Sequence, residues 1–452
     1  MLTRNGLLVE GTPDLKKELT VRPVENALGM QAPSFKVWRQ VHGSSRILIP
    51  RYASAAPAKD SRRAPVDAPG ITFTGKLRKE TKQNEAFDAG VKAFKEKGGG
   101  VLSLPCGYGK CLGKDTLVMM FDGTTQKVQD IQVGDVIMGD DSTPRNILST
   151  CTGTEQLYKV VPTKGDPYIV NESHILSLKY IQKRYKTFGK ILDISVLDYI
   201  NTSSAFKHSE VKGYRVPITF PHHAIPIDPY MIGYWLGDGN SRASAISSQD
   251  STVLHYFNKN LGQYDLYLSH TSHYEYRIKG PKPNYFYKTL KELNLIRNKH
   301  IPQIYKCNSR EIQLQVLAGL IDSDGSAIVG GWDFIQKSEK LFDDVLFLAR
   351  SLGFAAYKQK CQKTCSNAKG GPKTGTYYRC SITGKGVEEV PCKIKRKQLP
   401  PRLQIKNALN VGIKIEKLEV GEYFGFEIDG NRRFVLGDFT VTHNTTVALA
   451  LS

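Results

Sequence analysis

The sequence predicts a nested, multidomain architecture. An all-β domain is interrupted by a mixed helix-and-strand insert, and the whole is lodged inside the phosphate-binding loop of an α/β domain. Three observations predict this. A glycine-rich loop, "LPCGYGK", is broken after Lys110 and its missing half stands at "VTHNTTVALALS". Short alternating strands with turn residues bracket residues 222–405 on both sides. Within that bracket two apolar helices each end in Asp-Gly, "MIGYWLGDG" and "LAGLIDSDG".

The length supports several cores, since 452 residues exceed one ordinary domain. Hydrophobic residues at 40% and charged ones at 23% match a soluble globular chain. Sixty-three Lys and Arg against 43 Asp and Glu leave a net charge of +20, which favours a polyanionic partner, nucleic acid first. No apolar run reaches the roughly 18–20 residues of a membrane span. The charged start "MLTRNGLLVEGTPDLKKEL" is unlike a signal peptide. A soluble, intracellular protein is therefore expected. The eight cysteines are scattered, against a secreted disulfide framework. Cys361, Cys365, Cys380 and Cys392 match no compact zinc spacing.

Residues 1–70 hold short apolar stretches ending in the Ala/Pro-rich "ASAAPAKDSRRAPVDAPG", a linker. Residues 71–110 read as a helix, with Ala86, Val91, Ala93 and Phe94 apolar, then the strand "VLSL" and the broken loop. Joining Thr445 to Lys110 completes "LPCGYGKTTVALALS", a loop entering an apolar helix. In that joined loop Gly107, Gly109 and Lys110 would cradle ATP phosphates and Thr445 would hold Mg²⁺. Residues 111–221 are all-β in texture, with a DG turn in "TLVMMFDGTTQKVQDI" and a GDD turn in "GDVIMGDDSTPRNI". Residues 222–405 bring helices back, 406–444 return to strands, and 445–452 complete the loop.

The residue types at the two edges of this insertion suit acyl transfer. The Cys111 thiol can convert the Lys110 amide to a thioester. The Thr445 hydroxyl can take over the acyl group, and the Asn444 side-chain amide can attack its own carbonyl to release the insert. His443 stands beside that bond as proton donor or acceptor. Here the stretches "CLGKDTLVMMFDGTTQKVQDIQVGDVIMG", "NESHILSL" and "FVLGDFTVTHN" followed by Thr445 resemble the terminal motifs of inteins. The resemblance implies a horseshoe-like Hint fold that splices without a cofactor. It casts His174, three residues after Asn171, as the histidine that strains the upstream scissile amide, Asn171 standing where the family often has Thr. It also places Glu427 where many inteins have Asp, as an aid to Cys111 or to the departing group. Arg432 stands where many have His, which moves more of the burden to His443.

Close packing of the two Asp-Gly helices through Gly233, Ala318 and Gly319 would bring Asp238 and Asp324 together, with Asn308 and Glu311 in capping-box spacing before the second helix. Paired carboxylates repel unless a cation lies between them, and Mg²⁺ resolves the conflict while supplying Lewis acidity for phosphodiester hydrolysis. A lone Asp-Gly is a common turn; two copies on matching helices are not. The pair resembles the LAGLIDADG homing endonucleases. That resemblance implies an α+β fold of αββαββα order, a pseudo-twofold monomer, and double-stranded DNA as partner. It assigns Lys299 in "NKHIP" and Lys397 in "RKQLP", the latter with Arg396 and Lys395 as near rivals, as one basic residue per half-site, near the scissile phosphate. Basic, Tyr-bearing segments such as "RIKGPKPNYFYK" would meet phosphates.

The flanks, through "LTVRP", "FKVWRQ" and "ILIPRYAS", resemble superfamily 2 helicases of large DNA viruses. By that resemblance the joined host is an ATP- and Mg²⁺-dependent motor fragment, with Gln83 on the adenine side. No Asp-Glu metal box follows Thr445, so this polypeptide is not expected to work as a helicase. The competing expectations are autoprocessing without ligation, an endonuclease domain retained only to bind DNA, and ATP hydrolysis as the main activity.

Overall fold

Two turns open the β-rich region as the sequence requires. Leu117–Met119 pairs with Thr125–Lys127 across the DG turn, where Asp122 Oδ1 accepts the Thr124 N–H at 2.8 Å. Val136–Met138 pairs with the start of the long strand Pro144–Pro162, and Asp141 Oδ1 accepts the Thr143 N–H at 3.1 Å. This computed structural model describes residues 2–3, 6–21, 35–50, 88, 92, 100–103, 111–183, 186–365, 373–401, 406–444 and 448–451. Gln83, Ala86, Val91, Ala93, Phe94, Gly107, Gly109, Lys110 and Thr445, all singled out above, lie outside the described residues.

The chain divides into two compact units, Met1–Asn84 and Glu85–Ser452. In the first, Leu2–Thr3, Gly6–Glu10, Arg46–Ile49 and Arg39–Gln40 form a sheet in that order, and Leu7, Ile47 and Ile49 are buried beside it.

In the second unit, the pieces before and after the insert build one sheet. Its order is Val136–Met138, Pro144–Pro162, Tyr168–Asn171, Leu112–Gly113 and Ile413–Ile428, and the last strand also pairs with Pro144–Pro162. The two long strands run antiparallel from Ile147 opposite Ile428 to Pro162 opposite Ile413, with register shifts at Ile147/Ser149 and Gln156/Tyr158. Inward residues Val118, Ile137, Val160, Val170, Phe426 and Phe434 form its core. Burying these side chains against one another stabilises the fold by roughly 1.5–3 kcal/mol each.

The insert is α+β. Helix Pro229–Asp238 begins at Asp228, whose Oδ1 accepts the Met231 N–H at 2.9 Å, with Pro229 supplying a fixed φ in the first turn. It packs against helix Arg310–Asp324 at backbone contact. A Cβ on Gly233 would fall 2.1 Å from the Val316 carbonyl oxygen, and one on Gly319 would fall 2.3 Å from that of Tyr230. The expected αββαββα order is followed from the second helix through the sheet Gly325–Ile328, Gly331–Gln336, Lys373–Thr383, Gln359–Cys365, but among the described residues its closing helix is replaced by the 3-10 turns Val387–Glu389 and Lys395–Lys397. In the first half the opening strand is reduced to a single bridge, Gly239 to Ile246, because residues 241–244 form a turn. The expected capping box is absent. Ser309 is the N-cap of Arg310–Asp324 and its side chain makes no capping bond. The buried Asn308 instead ties His223 to the helix pair, accepting from His223 N–H at 3.0 Å and donating to its carbonyl at 2.9 Å.

The β-rich domain and the insert share a second core. Met119, Met138, Val435 and Phe439 pack against Ile218, Phe220 and Cys307, and Phe347 stands edge-on to Phe439 at 5.1 Å. The segment expected to continue as a helix after Thr445 is a strand where it is described, Ala448–Leu451 paired with Gly100–Ser103. Cross-strand pairing with Gly100–Ser103 satisfies the backbone groups of these residues.

Candidate functional site

The closed sheet draws both edges of the insertion into one pocket. Cys111, His174, His443 and Asn444 line it together with Leu112, Phe424, Gly425, Phe426 and Phe434. Cys111 is 2% exposed. Its N–H, the nitrogen of the bond to Lys110, donates to Asn171 Oδ1 at 2.8 Å, and its carbonyl accepts the Asn171 N–H at 3.1 Å. Asn171 is fully buried and its Nδ2 donates to Glu155 Oε2 at 2.5 Å, which fixes the amide so that oxygen faces Cys111. His174 follows on the same turn, its N–H donating to the Asn171 carbonyl at 3.1 Å. The His174 Nε2 lies 2.7 Å from Thr442 Oγ1.

At the other edge, Val441–His443 pairs with Arg433–Val435, so the end of the insert is held as a strand. The Asn444 N–H donates to the Arg432 carbonyl at 2.8 Å, and Asn444 Nδ2 donates to the Phe426 carbonyl. Arg432 therefore acts at this edge through its backbone, in a left-handed conformation with φ of 63°. Glu427 is not among the pocket residues. Its Oε2 accepts from Ser149 Oγ at 3.2 Å, across the strand pair. The residue of that strand facing Cys111 is Gly425, where a Cβ would come 2.4 Å from Cys111 Sγ and 3.0 Å from Cys151 Sγ. Glu155, Thr442, Cys151 and Gly425 had no signal in the sequence, since each acts singly and across a strand pairing.

A second cluster lies where the two packed helices end. Burial, and then the charge of Asp238, push the Asp324 carboxyl up to about 6. Burial raises Asp238 as well, opposed by Lys397 and Lys299. Gln336 Nε2 donates to Asp324 Oδ2 at 2.9 Å, a partner that sequence reading missed. The two lysines occupy matching places. Lys299 Nζ donates to the carbonyls of Gly237 at 2.9 Å and Gly239 at 2.7 Å. Lys397 Nζ donates to those of Ile321 at 2.9 Å and Asp322 at 2.7 Å. Each thus neutralises the negative end of one helix beside its carboxylate. Burial brings Lys299 down to about 8 and lowers Lys397.

The cluster fits a divalent cation. Two half-buried, mutually repelling carboxylates supply the hard oxygen ligands that Mg²⁺ takes, and water and phosphate oxygens complete such a shell. Among the described residues no group of three or more His, Cys, Asp or Glu is arranged to hold a metal, and this includes Cys361, Cys380 and Cys392. Among them, too, no helix is long and apolar enough to cross a membrane.

Comparison with known families defines the class. Residues 111–219 match the Hom_end-associated Hint family, and residues 311–390 match the LAGLIDADG-like domain. The chain thus joins a Hint domain, of the kind found with homing endonucleases, to a LAGLIDADG domain. Among curated relatives, it is 27% identical over 289 residues to a replicative DNA helicase DnaB of Mycobacterium intracellulare, covering 58% of this chain and 45% of that one. It is also 27% identical over 256 residues to the homothallic switching endonuclease of Saccharomyces cerevisiae, covering 46% and 42%. The chain spans less than half the length of these relatives. Similar solved structures include the homing endonuclease I-DmoI, at 14% identity and a TM-score of 0.25 over 36% of this chain and 85% of that one. The gp41-1 intein is another, at 19% identity and a TM-score of 0.14 over 19% and 79%.

Proposed function

We propose that residues 111–444 excise themselves and join Lys110 to Thr445, and that the inserted domain cuts double-stranded DNA. The observation that carries the splicing reading is the pocket shared by Cys111 and Asn444, the first and last residues of the insertion. Cys111 Sγ adds to the Lys110 carbonyl carbon, the C–N bond breaks, and the nitrogen takes up a proton as an amine. Asn171, bonded to that nitrogen, and His174 behind it hold the amide for attack. The Thr445 hydroxyl oxygen then displaces the thiol, leaving an ester. Asn444 Nδ2 attacks its own carbonyl carbon and closes a succinimide. The Thr445 nitrogen departs with a proton from the His443 side, then attacks the ester to form the new amide. Mass spectrometry of the expressed chain should show residues 1–110 joined to 445–452. Intact chain or two separate flanks would overturn the reading.

For the insert, Asp238 and Asp324 would hold the cation, which supplies charge neutralisation at the scissile phosphate when bound. The relative named as a switching endonuclease and the I-DmoI structures titled with DNA and metal ions accord with this reading. Each half offers a two-stranded ribbon of a size suited to the major groove, Tyr267–Ser272 with Glu275–Lys279 and Gln359–Cys365 with Lys373–Thr383. A chain with Asp238→Asn and Asp324→Asn should bind duplex spanning the uninterrupted junction without cutting it. Cutting at the parental rate would remove the carboxylates from the mechanism.

The host remains part of the proposal. Joining Lys110 to Thr445 restores a complete phosphate loop, and the host fragment is then read as part of an ATP-dependent helicase. ATP binding by the joined product, with none by a Cys111→Ala chain, is the expected result.

A further inference from the structure

We propose that Cys111 and Cys151 form a reversible disulfide that arrests the chain before its first acyl transfer. The inference rests on the reading of Cys111 as the nucleophile. Cys111 Sγ and Cys151 Sγ lie 3.8 Å apart. Cys151 stands opposite Gly425 in the strand pairing, and Cys111 reaches the same glycine from the other side. A Cβ at 425 would crowd both sulfurs, at 2.4 Å from Cys111 Sγ and 3.0 Å from Cys151 Sγ, and the glycine leaves room for both. A disulfide brings the sulfurs to about 2.05 Å, so they must close by under about 2 Å. Cys111, just before the strand Leu112–Gly113, and Cys151 flank the strand of Gly425 on its two sides, so closing the bond also draws these two backbones together over the glycine.

The exposures set an order of events. Cys151 is half-buried, whereas Cys111 is 2% exposed. A small disulfide such as glutathione disulfide therefore meets Cys151 first. The Cys151 thiolate attacks it, releases one glutathione thiol and carries the other as a mixed disulfide. The Cys111 thiolate then attacks Cys151 Sγ and expels the second glutathione. One disulfide is consumed, two thiols leave, and both cysteine protons pass to them. The sulfur that must attack Lys110 is then occupied. A thiol reductant reverses both exchanges, so release of the host would follow the redox state of its surroundings.

The test uses the full chain with Asn444→Ala and Thr445→Ala, which halts any reaction after the thioester. After incubation with glutathione disulfide, digestion without reduction should yield a Cys111–Cys151 linked peptide two hydrogens lighter than its parts. Hydroxylamine, which cleaves thioesters and spares disulfides, should release residues 1–110 from the reduced chain. It should fail on the oxidised one, and a phosphine should restore release. Adding Cys151→Ser should abolish the difference between that chain's own oxidised and reduced forms. Cys111 recovered without Cys151 attached, or equal loss of release in the Cys151→Ser chain, overturns the proposal. Failure of hydroxylamine on the reduced chain would instead count against the thioester, while the linked peptide would still report the disulfide.

Discussion

His174 and Thr442, 2.7 Å apart through Nε2 and Oγ1, join the two ends of the proposed splicing reaction. The histidine belongs to the turn that holds Asn171 against Cys111, and the threonine to the strand Val441–His443 that leads into Asn444. Both are fully buried, so removing one partner leaves the other without a replacement from water. Thr442→Val keeps the shape and deletes the hydroxyl. The expected cost is about 1–2 kcal/mol, or roughly 5- to 30-fold in splicing rate, followed by gel time course. An unchanged rate would show that the ends act independently.

The buried pair Arg215 and Asp438 anchors the segment leading into that strand, with Arg215 Nη2 donating to Asp438 Oδ2 at 2.8 Å. Arg215 Nη1 also reaches Tyr357 Oη of the insert at 3.2 Å. Burial pushes the Asp438 carboxyl up, but the charge and hydrogen bonds of Arg215, with Thr440, outweigh it and hold it below 3.8. A depressed carboxyl stabilises the fold above its unfolded value and loses that contribution as pH falls towards the folded one. Asp438→Asn should cost about 3–5 kcal/mol near neutral pH, where it leaves the Arg215 charge buried without the Asp438 counter-charge. Denaturant titrations should show the gap between parent and variant narrowing below 3.8.

Asp324 behaves in the opposite sense. Its carboxyl, raised from 3.8 to about 6, keeps a proton in the metal-free fold that the unfolded chain has already lost. Stability from this group is therefore present at acid pH and declines as pH rises from 3.8 to about 6. Asp324→Asn should raise the melting temperature of metal-free protein at pH above that range. Mg²⁺ competes with the same proton, so calorimetry should show metal affinity falling as pH drops through about 6.

Gly233 gives a test of the helix pair that places the carboxylates. A methyl group there would sit 2.1 Å from the Val316 carbonyl oxygen, and backbone cannot yield as a flexible side chain does. Gly233→Ala should destabilise the chain by about 1–3 kcal/mol despite alanine's better helix propensity. It should also weaken DNA cutting, because the helices must separate. A melting temperature equal to the parent's would mean the contact is looser than described.

Local chemistry made much of this legible. The β-turns at Asp122 and Asp141 and the helix entry at Asp228–Pro229 are dictated by side chains within two or three residues. Asn308 misled because its spacing fits a cap, yet burial gave it better partners across the fold at His223. The intein resemblance placed Glu427 beside Cys111 or the departing group. The strand pairing turned it towards Ser149 and left a glycine, invisible as chemistry, against the thiol.

The order of residues alone marks where the proposed intervening segment begins and ends and which side chains could carry nucleophilic or acidic chemistry, because bond connectivity and residue type are local properties. Tertiary structure decided who stands beside whom. Cys111 meets Cys151, Asn171 meets Glu155, and His174 meets Thr442 only because strands from both sides of the insert close into one sheet. Burying the apolar faces of Val160 and Phe426 in a common core sets that pairing, and no single stretch of sequence contains the free energy that does it.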